Sequence, residues 1–232
     1  MKGRRKMNRK LPTAAALAAV LALAACGGGS SNSGGGGGGS GAPAPSNPKV
    51  TVQDLAPGSY IVSVGNANAP TVGKYYAGVD GSRLLALANK DDRLDRLFKR
   101  DPGASSWSVI PAVEQDLQLS LLRSDSLVAQ GADPAALAGS YAAALSDGAP
   151  ARFAIAAGGA ITALDTACKL SGQLSAGMLP STLKLSLAAS GCAGLPATSS
   201  GVLVIDSDYA PARFRLIADD GAKALDLWAY KQ

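Results

Sequence analysis

The 232-residue sequence contains no histidine, and this absence excludes several chemistries at once. Ser-His-Asp and Cys-His catalysis both need an imidazole base, and histidine metal ligation needs an imidazole nitrogen. Aromatic residues make up only 5% of the chain and charged residues only 17%. A stacking platform for bases is hard to build from so few of them, so nucleic acid is not an expected partner. We expect no catalytic residues, no metal site and no cofactor.

Basic residues are in excess only within the first 25 positions. Six of the 22 Lys and Arg residues lie there without any Asp or Glu, and the whole chain has a formal net charge of +5. The remaining residues hold 16 basic and 17 acidic side chains. The net charge therefore does not indicate an anionic partner, because it belongs to a segment with the features of a targeting sequence.

The apolar stretch from Leu11 to Ala25 is too short to cross a bilayer as a helix. It follows a basic leader and ends in Leu23-Ala24-Ala25-Cys26. A basic start, an apolar middle and small residues at the end are typical of a secretory signal peptide. The Leu-small-small-Cys ending resembles the lipobox of bacterial lipoproteins. This resemblance implies that residues 1–25 are removed and that Cys26 carries the lipid, palmitate included.

Residues 26–49 are rich in Gly, Ser and Pro and lack hydrophobic periodicity. They include six consecutive glycines from Gly34 to Gly39, followed by an Ala-Pro repeat. This composition is typical of a flexible linker that becomes stiffer where proline is frequent. We expect residues 26–49 to connect the membrane anchor to a folded body.

The second half of the body has the pattern of an antiparallel all-β fold. Alternation such as that of Leu183, Leu185 and Leu187 marks about eight short strands between Ser140 and Tyr230, separated by Asp-Gly and Gly-Gly turns. A meander of this kind is most economically closed into a small eight-stranded barrel filled by its own side chains. We therefore predict a C-terminal β-barrel-like module at residues 137–232.

Residues 50–130 are predicted to form an N-terminal β module with one short helix. The helical pattern covers Asp91–Arg100, where Leu94, Leu97 and Phe98 share one face and acidic residues precede basic ones. Asp133-Pro134 is expected to begin one further helical turn between the modules. The expected strands are Ser59–Val64, Thr71–Val79, Ser82–Ala88, Ser106–Ile110 and Asp116–Leu122.

Two cysteines remain once Cys26 carries lipid. An even pair in an exported chain favours a disulfide between Cys168 and Cys192. The alternative is a redox pair of free thiols, but the sequence contains no Cys-x-x-Cys motif. If the strands that flank these cysteines are antiparallel neighbours, the two residues lie at the same end of the pair.

Two motifs resemble functional sequences but fit a structural role better. Ser181-Thr182-Leu183-Lys184 has the S-x-x-K spacing of penicillin-interacting serine enzymes, yet strand alternation places Ser181 and Lys184 on opposite faces. Asp206-Ser207-Asp208 and Asp219-Asp220-Gly221 lack the spacing of a calcium loop and are typical of turns.

The last strands carry residues whose orientation decides their role. Arg213 and Arg215 alternate with apolar residues, which indicates the solvated face of a strand. Trp228 and Tyr230 share the face opposite Leu225 and Leu227. They form either a candidate contact surface for a partner or packing against the N-terminal module, and we favour the packing.

The lipobox, the polyglycine linker and the two β modules together resemble the layout of Gram-negative surface lipoproteins of the transferrin-binding protein B and factor H-binding protein type. The resemblance implies an outer-membrane lipoprotein that is not an enzyme and binds another macromolecule, with the membrane contacted through the N-terminal lipid. It carries over no residue-level binding motif. The alternatives are a periplasm-facing structural or assembly lipoprotein, or a hydrolase, which the missing histidine disfavours.

We predict that metabolic labelling with palmitate marks the wild-type protein and not the Cys26→Ser variant. The thiol is the acceptor of the first lipid, and signal cleavage follows acylation, so the variant should also keep residues 1–25. Labelling can be read on a gel, and the retained signal by mass spectrometry. Equal labelling of both proteins would contradict the lipobox.

Overall fold

Sixteen β-strands make up nearly all the regular structure of residues 47–232, which are the residues that the computed structural model describes. The predicted signal peptide, Cys26 and the linker up to residue 46 lie outside the described residues. Within residues 47–232, no helix is long and apolar enough to span a membrane. Two 3₁₀ helices, Ala135–Leu137 and Ser207–Tyr209, are present, and the first follows Asp133-Pro134 as predicted.

The strands divide into two groups along the chain. The first group is β1 (Val50–Val52), β2 (Gly58–Asn66), β3 (Ala69–Ala77), β4 (Arg83–Ala88), β5 (Leu94–Arg100), β6 (Ser108–Ile110), β7 (Leu117–Leu119) and β8 (Leu121–Leu127). The second group is β9 (Gly139–Ala144), β10 (Pro150–Ile155), β11 (Ala160–Ala163), β12 (Lys169–Ala176), β13 (Thr182–Ser190), β14 (Thr198–Val204), β15 (Phe214–Asp219) and β16 (Ala224–Lys231).

The second group forms the predicted antiparallel barrel of eight strands. Strands β9 to β16 pair in chain order, and β16 returns to pair with β9, which closes the barrel. The all-β prediction is therefore confirmed, including the eight-stranded barrel. The closing register places Ala229 opposite Ala143, so residues from the two ends of the module meet.

Side chains fill the barrel interior, as the apolar pattern predicts. Tyr141, Phe153 and Phe214 form an aromatic cluster at its centre, with ring centroids 4.7 Å apart for Tyr141 and Phe214. The Tyr141 hydroxyl donates to the Leu137 carbonyl at 2.8 Å, which satisfies its polar end inside the core. Leucines of β12 and β13 complete the packing; Leu170, Leu174, Leu183, Leu185 and Leu187 are all buried.

The predicted disulfide joins Cys168 and Cys192, whose Cα atoms are 4.4 Å apart. Strands β12 and β13 are antiparallel neighbours, and Lys169 lies opposite Ser190. Each cysteine therefore lies just outside this last pair, at the same end of the hairpin. The bridge therefore joins the two strands beyond the last residue pair of their ladder.

The first group forms a six-stranded sheet in the order β6-β5-β4-β3-β2-β8 and a small parallel pair, β1 and β7. One face of the sheet packs beneath β1 and β7 and is rich in aromatic residues. Tyr75 contacts both Tyr60 and Trp107 there, with ring centroids 6.4 and 6.0 Å apart. The opposite face packs against the outer wall of the barrel. Strands near the centre of this sheet are thus buried on both sides.

The predicted helix at Asp91–Arg100 is wrong: this segment is a hairpin turn followed by strand β5. Asn89 closes the turn, because its side chain accepts hydrogen bonds from the amides of Asp91 and Arg93. The register of β5 against β4 shifts by one residue at Asp95. This bulge places Leu94 and Leu97 on one face, while Phe98 packs on the other. Because of the bulge, Leu94 and Leu97 lie on one face although they are three residues apart, which is also the spacing of a helix face.

The predicted module boundary coincides with a change of sheet, since β8 ends at Leu127 and β9 begins at Gly139. The six-stranded sheet and the barrel share no strand. Their packing against each other is nevertheless extensive, because one face of the sheet lies on the barrel wall. Whether the modules at 50–130 and 137–232 fold independently stays a prediction.

We predict that the double variant Cys168→Ser, Cys192→Ser loses about 2–4 kcal/mol of unfolding free energy, because the bridge closes a loop of about 25 residues in the unfolded chain. Urea unfolding followed by circular dichroism measures the loss. The wild-type protein after reduction is the matched control and should unfold at the same urea concentration as the variant. Equal stability of the oxidised and reduced wild-type protein would contradict the prediction.

Candidate functional site at the sheet–barrel junction

The candidate site lies where the six-stranded sheet meets the barrel wall. The buried apolar core of this junction comes from both parts; it consists of Tyr76, Leu84, Ala86, Leu97, Ile110, Val202, Val204, Tyr209, Ala212 and Ile217. Strand β15 and the Val202–Val204 end of β14 are consequently buried on both faces. One face lines the barrel interior and the other contacts the sheet.

Arg215 is the principal buried cation of the junction, with only 4% of its surface exposed. Its guanidinium makes a two-point ion pair with the Asp226 carboxylate on the neighbouring strand, one contact being 2.8 Å. The same group lies 4.9 Å from the ring centroid of Trp228 and 5.9 Å from that of Tyr209. Arg215 therefore holds two aromatic rings in place while its charge is neutralised.

Asp226 also connects the barrel to the sheet. Its Oδ2 atom, which also accepts from Arg215, accepts a hydrogen bond of 2.7 Å from the backbone amide of Leu94. Leu94 begins β5, directly after the hairpin turn. Asp226 is therefore shared between Arg215 and the sheet backbone, which ties the position of the arginine to the position of β5.

Two lysines of the sheet form further ion pairs with the barrel. The Lys74 ammonium lies 2.8 Å from Asp206 and 2.7 Å from Asp208, at the 3₁₀ helix Ser207–Tyr209. The Lys99 ammonium lies 2.6 Å from Asp219, whose side chain is buried. The acidic residues that the sequence predicts as turn formers therefore lie at turns and also bind the sheet. Among residues 47–232, no three Cys, Asp or Glu side chains cluster as metal ligands would.

At the junction, the pKa values of Lys74, Tyr76 and Tyr209 are all raised, which favours the protonated form of each group. Burial lowers the pKa of Lys74, but hydrogen bonds and charge from Asp206 and Asp208 outweigh burial and raise that pKa above its ordinary value. Burial raises the pKa of Tyr76 and of Tyr209, so both phenols stay protonated. Their hydroxyl oxygens lie 3.4 Å apart and share one hydrogen bond. Lys74 is therefore charged and paired with two aspartates, while the two tyrosines are neutral and hydrogen-bonded to each other.

A groove of about 570 Å³ opens beside this network, between β3, β4 and the barrel strands β15 and β16. Tyr209, Arg215 and Trp228 form its barrel side, and Val72 forms part of its sheet side with 49% of its surface exposed. Asp92 and Asp95 lie on its rim. Lys90 lies there as well, so the rim carries charges of both signs. Because the buried charges are already paired, the groove offers apolar and aromatic surface with a charged rim to a ligand.

A smaller cleft of about 300 Å³ lies at the other end of the junction, lined by Ser59, Tyr76 and Ser181 among others. The Ser59 hydroxyl is buried and has no hydrogen-bond partner among residues 47–232. Ordered water fits a polar cleft of this size and satisfies such a hydroxyl. Ser181 is buried while Lys184 is exposed, as expected for opposite faces of a strand, and the Ser181 oxygen accepts a hydrogen bond of 2.9 Å from the Gln130 amide.

The structure corrects the predicted orientation of Arg215 and places Trp228 and Tyr230 in different surroundings. Arg215 is buried, contrary to the prediction of a solvated strand face, because the sheet covers that face of β15. Trp228 packs at the junction with the sheet, which is the alternative that we favoured. Tyr230 lies two residues further along β16 and is 40% exposed. The candidate contact surface at Trp228 and Tyr230 is therefore divided between a half-buried and an exposed residue.

Lys74, Tyr209 and Asp226 are the site residues that sequence reasoning did not identify. Strand alternation alone could have placed Asp226 on the same face as Trp228 and beside Arg215 on the next strand. Lys74 and Tyr209 gave no such signal, since Lys74 lies in a different sheet from its partners.

We predict that Asp226→Asn lowers the unfolding free energy by about 3–5 kcal/mol, because it leaves the Arg215 charge buried without an opposite charge. The variant keeps the size of the side chain but replaces one of the two oxygens that accept from Arg215 with an amide nitrogen, so the loss reports the charge and one hydrogen bond of the ion pair. Asp91→Asn is the matched control: it removes the acid of an exposed pair with Lys90, and stability should change little. Urea unfolding at neutral pH compares the two variants, and equal small effects would contradict the prediction.

No protein family, curated protein or solved structure matches the chain in comparisons with known proteins. The function is therefore argued from the geometry of the junction and from the sequence pattern that precedes the folded body.

Proposed function

We propose that the protein is a lipid-anchored, non-enzymatic protein of the cell envelope that binds another macromolecule. The observation that carries this proposal is the groove beside Trp228. It combines an aromatic wall, exposed apolar surface and a charged rim on the outside of the folded body. Binding sites for proteins commonly contain aromatic anchors held in one conformation.

The filled barrel favours recognition on the outer surface over transport of a small ligand. A carrier needs an internal cavity with a few converging polar groups. Here the barrel axis is occupied by Tyr141, Phe153 and Phe214, which are all less than 2% exposed. A ligand inside this barrel would have to displace the core that holds the barrel together.

The aromatic wall of the groove is preorganised for binding. Trp228 is held between the Arg215 guanidinium and the Tyr209 ring, whose centroid lies 5.0 Å from that of Trp228. A partner that packs on this wall does not have to immobilise it, which reduces the entropic cost of association. Asp92, Asp95 and Lys90 on the rim favour a partner segment with charged residues of both signs next to its apolar contact.

The anchor and the envelope location rest on the sequence. The ending Leu23–Cys26 supports acylation at the N-terminus of the mature chain, and the linker at 26–49 supports display of the body away from the headgroups. The resemblance in layout to surface lipoproteins of the transferrin-binding protein B and factor H-binding protein type supports the outer membrane as the location.

We predict that the full-length protein, purified in detergent and immobilised, captures a partner from envelope or host extracts and that Val72→Arg abolishes the capture. The arginine places a long charged side chain into the apolar part of the groove. Val79→Arg is the matched control, because Val79 is 74% exposed and lies in the β3–β4 turn. Mass spectrometry identifies proteins that the wild type and Val79→Arg retain and Val72→Arg loses. Capture that is the same for all three proteins would contradict binding in the groove.

A further inference from the structure

Strand β8 forms one edge of the six-stranded sheet, and no strand of residues 47–232 pairs with its outer side. Within residues 47–232 it pairs with β2 only. Its five central residues, Leu122–Ser126, are all exposed. The free part begins after Leu121, whose backbone amide donates to the Gln53 side chain at 3.1 Å. Such an edge presents a row of unpaired amide and carbonyl groups that can accept another strand.

The sequence of this edge is complementary to itself. Residues 122–126 read Leu-Arg-Ser-Asp-Ser, with Arg123 and Asp125 placed symmetrically about Ser124. When two copies of the strand run antiparallel about Ser124, Arg123 of each copy lies opposite Asp125 of the second copy. Opposite charges in directly facing positions stabilise a strand pair. Both charged pairs form at once because a two-fold interface repeats every contact.

We propose that β8 pairs with β8 of a second copy of this chain, about a two-fold axis at Ser124. The two six-stranded sheets then join edge to edge into one continuous sheet. The occupant is a second copy because the order of charges matches the strand itself. The proposal does not depend on what the groove beside Trp228 binds.

Charge fixes the register of this pairing. Moving the axis to Arg123 places two arginines directly opposite each other, and moving it to Asp125 does the same with two aspartates. Like charges in facing positions destabilise a strand pair. Only the axis at Ser124, among these three, faces each cation with an anion. Isolated charges on an edge strand usually prevent strands from associating. Here the order of the charges permits pairing about Ser124 and disfavours the registers centred on Arg123 and Asp125.

In the single chain, Arg123 and Asp125 form an ion pair with each other. The Arg123 guanidinium lies 2.6 Å from Asp125, and both side chains are solvent-exposed. Dimerisation exchanges this internal pair for two pairs between copies, so no charge is left alone. Exposed apolar residues flank the charged centre, since Leu122 is 48% and Val128 is 91% exposed. In the proposed register, Leu122 lies diagonally across from Val128 of the second copy, within reach of an apolar contact.

A cysteine at the axis tests the pairing directly in the full-length protein. In Ser124→Cys the two introduced thiols face each other, and a short bismaleimide should link most of the protein into dimers. The control is Ser108→Cys, which introduces an exposed thiol on β6, the opposite edge of the same sheet. Cys26 is common to both variants and contributes equally. Equal dimer yields from the two variants would overturn the proposal.

Charge reversal in the Ser124→Cys background then tests the register. Arg123→Asp or Asp125→Arg alone turns both facing pairs into like charges and should weaken dimerisation about tenfold or more. The double variant Arg123→Asp, Asp125→Arg restores opposite charges across the axis and should restore the yield. Sedimentation velocity of the same charge variants without the cysteine measures the dissociation constant. Single reversals without effect, or a double reversal without recovery, would refute the register.

Discussion

The shared carboxylate of Asp226 is the contact on which the two halves of the structure depend. Both of its oxygens accept hydrogen bonds from Arg215 in the barrel wall, and Oδ2 also accepts one from the first amide of β5 in the sheet. The arginine in turn positions Trp228 and Tyr209. A buried ion pair contributes little net stability compared with apolar packing, but it allows only one relative position of its partners. At this junction it determines which side chains form the wall of the groove.

The barrel was predictable because its signal is local. Alternation along each strand and glycine or aspartate at each turn are read within ten residues, and the closed antiparallel order follows from short connections. The disulfide was predicted from the even number of cysteines that remain after Cys26 in a chain expected to be exported, and the structure places Cys168 and Cys192 at one end of a hairpin. Helix Asp91–Arg100 failed because a bulge at Asp95 shifts the alternation of β5 by one residue, and a shifted alternation has the spacing of a helix.

The candidate site was predictable only in part because its contacts are remote in sequence. Trp228 could be recognised as an aromatic residue on the outer face of a strand, with packing against the first module as one alternative. Arg215 was placed in solvent, because a single strand does not show that a second sheet covers it. Lys74 meets Asp208 across 134 positions of the chain, and no local pattern reports such a pairing. Alternation identifies the faces of a strand but not what lies against them.

The closure of the barrel by β16 has a consequence for the order in which the chain can fold. The strand that seals the barrel against β9 also carries Asp226 and Trp228 to the sheet. Pairing of Ala143 with Ala229 is a contact of long sequence separation, and such contacts form late because closing the intervening loop costs entropy. A chain that is synthesised from its N-terminus therefore completes the strands of its sheet before the barrel that covers one face of that sheet. Until β16 is in place, the apolar face of the sheet lacks the contacts of Asp226 and Trp228, so the last strand to be made completes the cover of the first sheet.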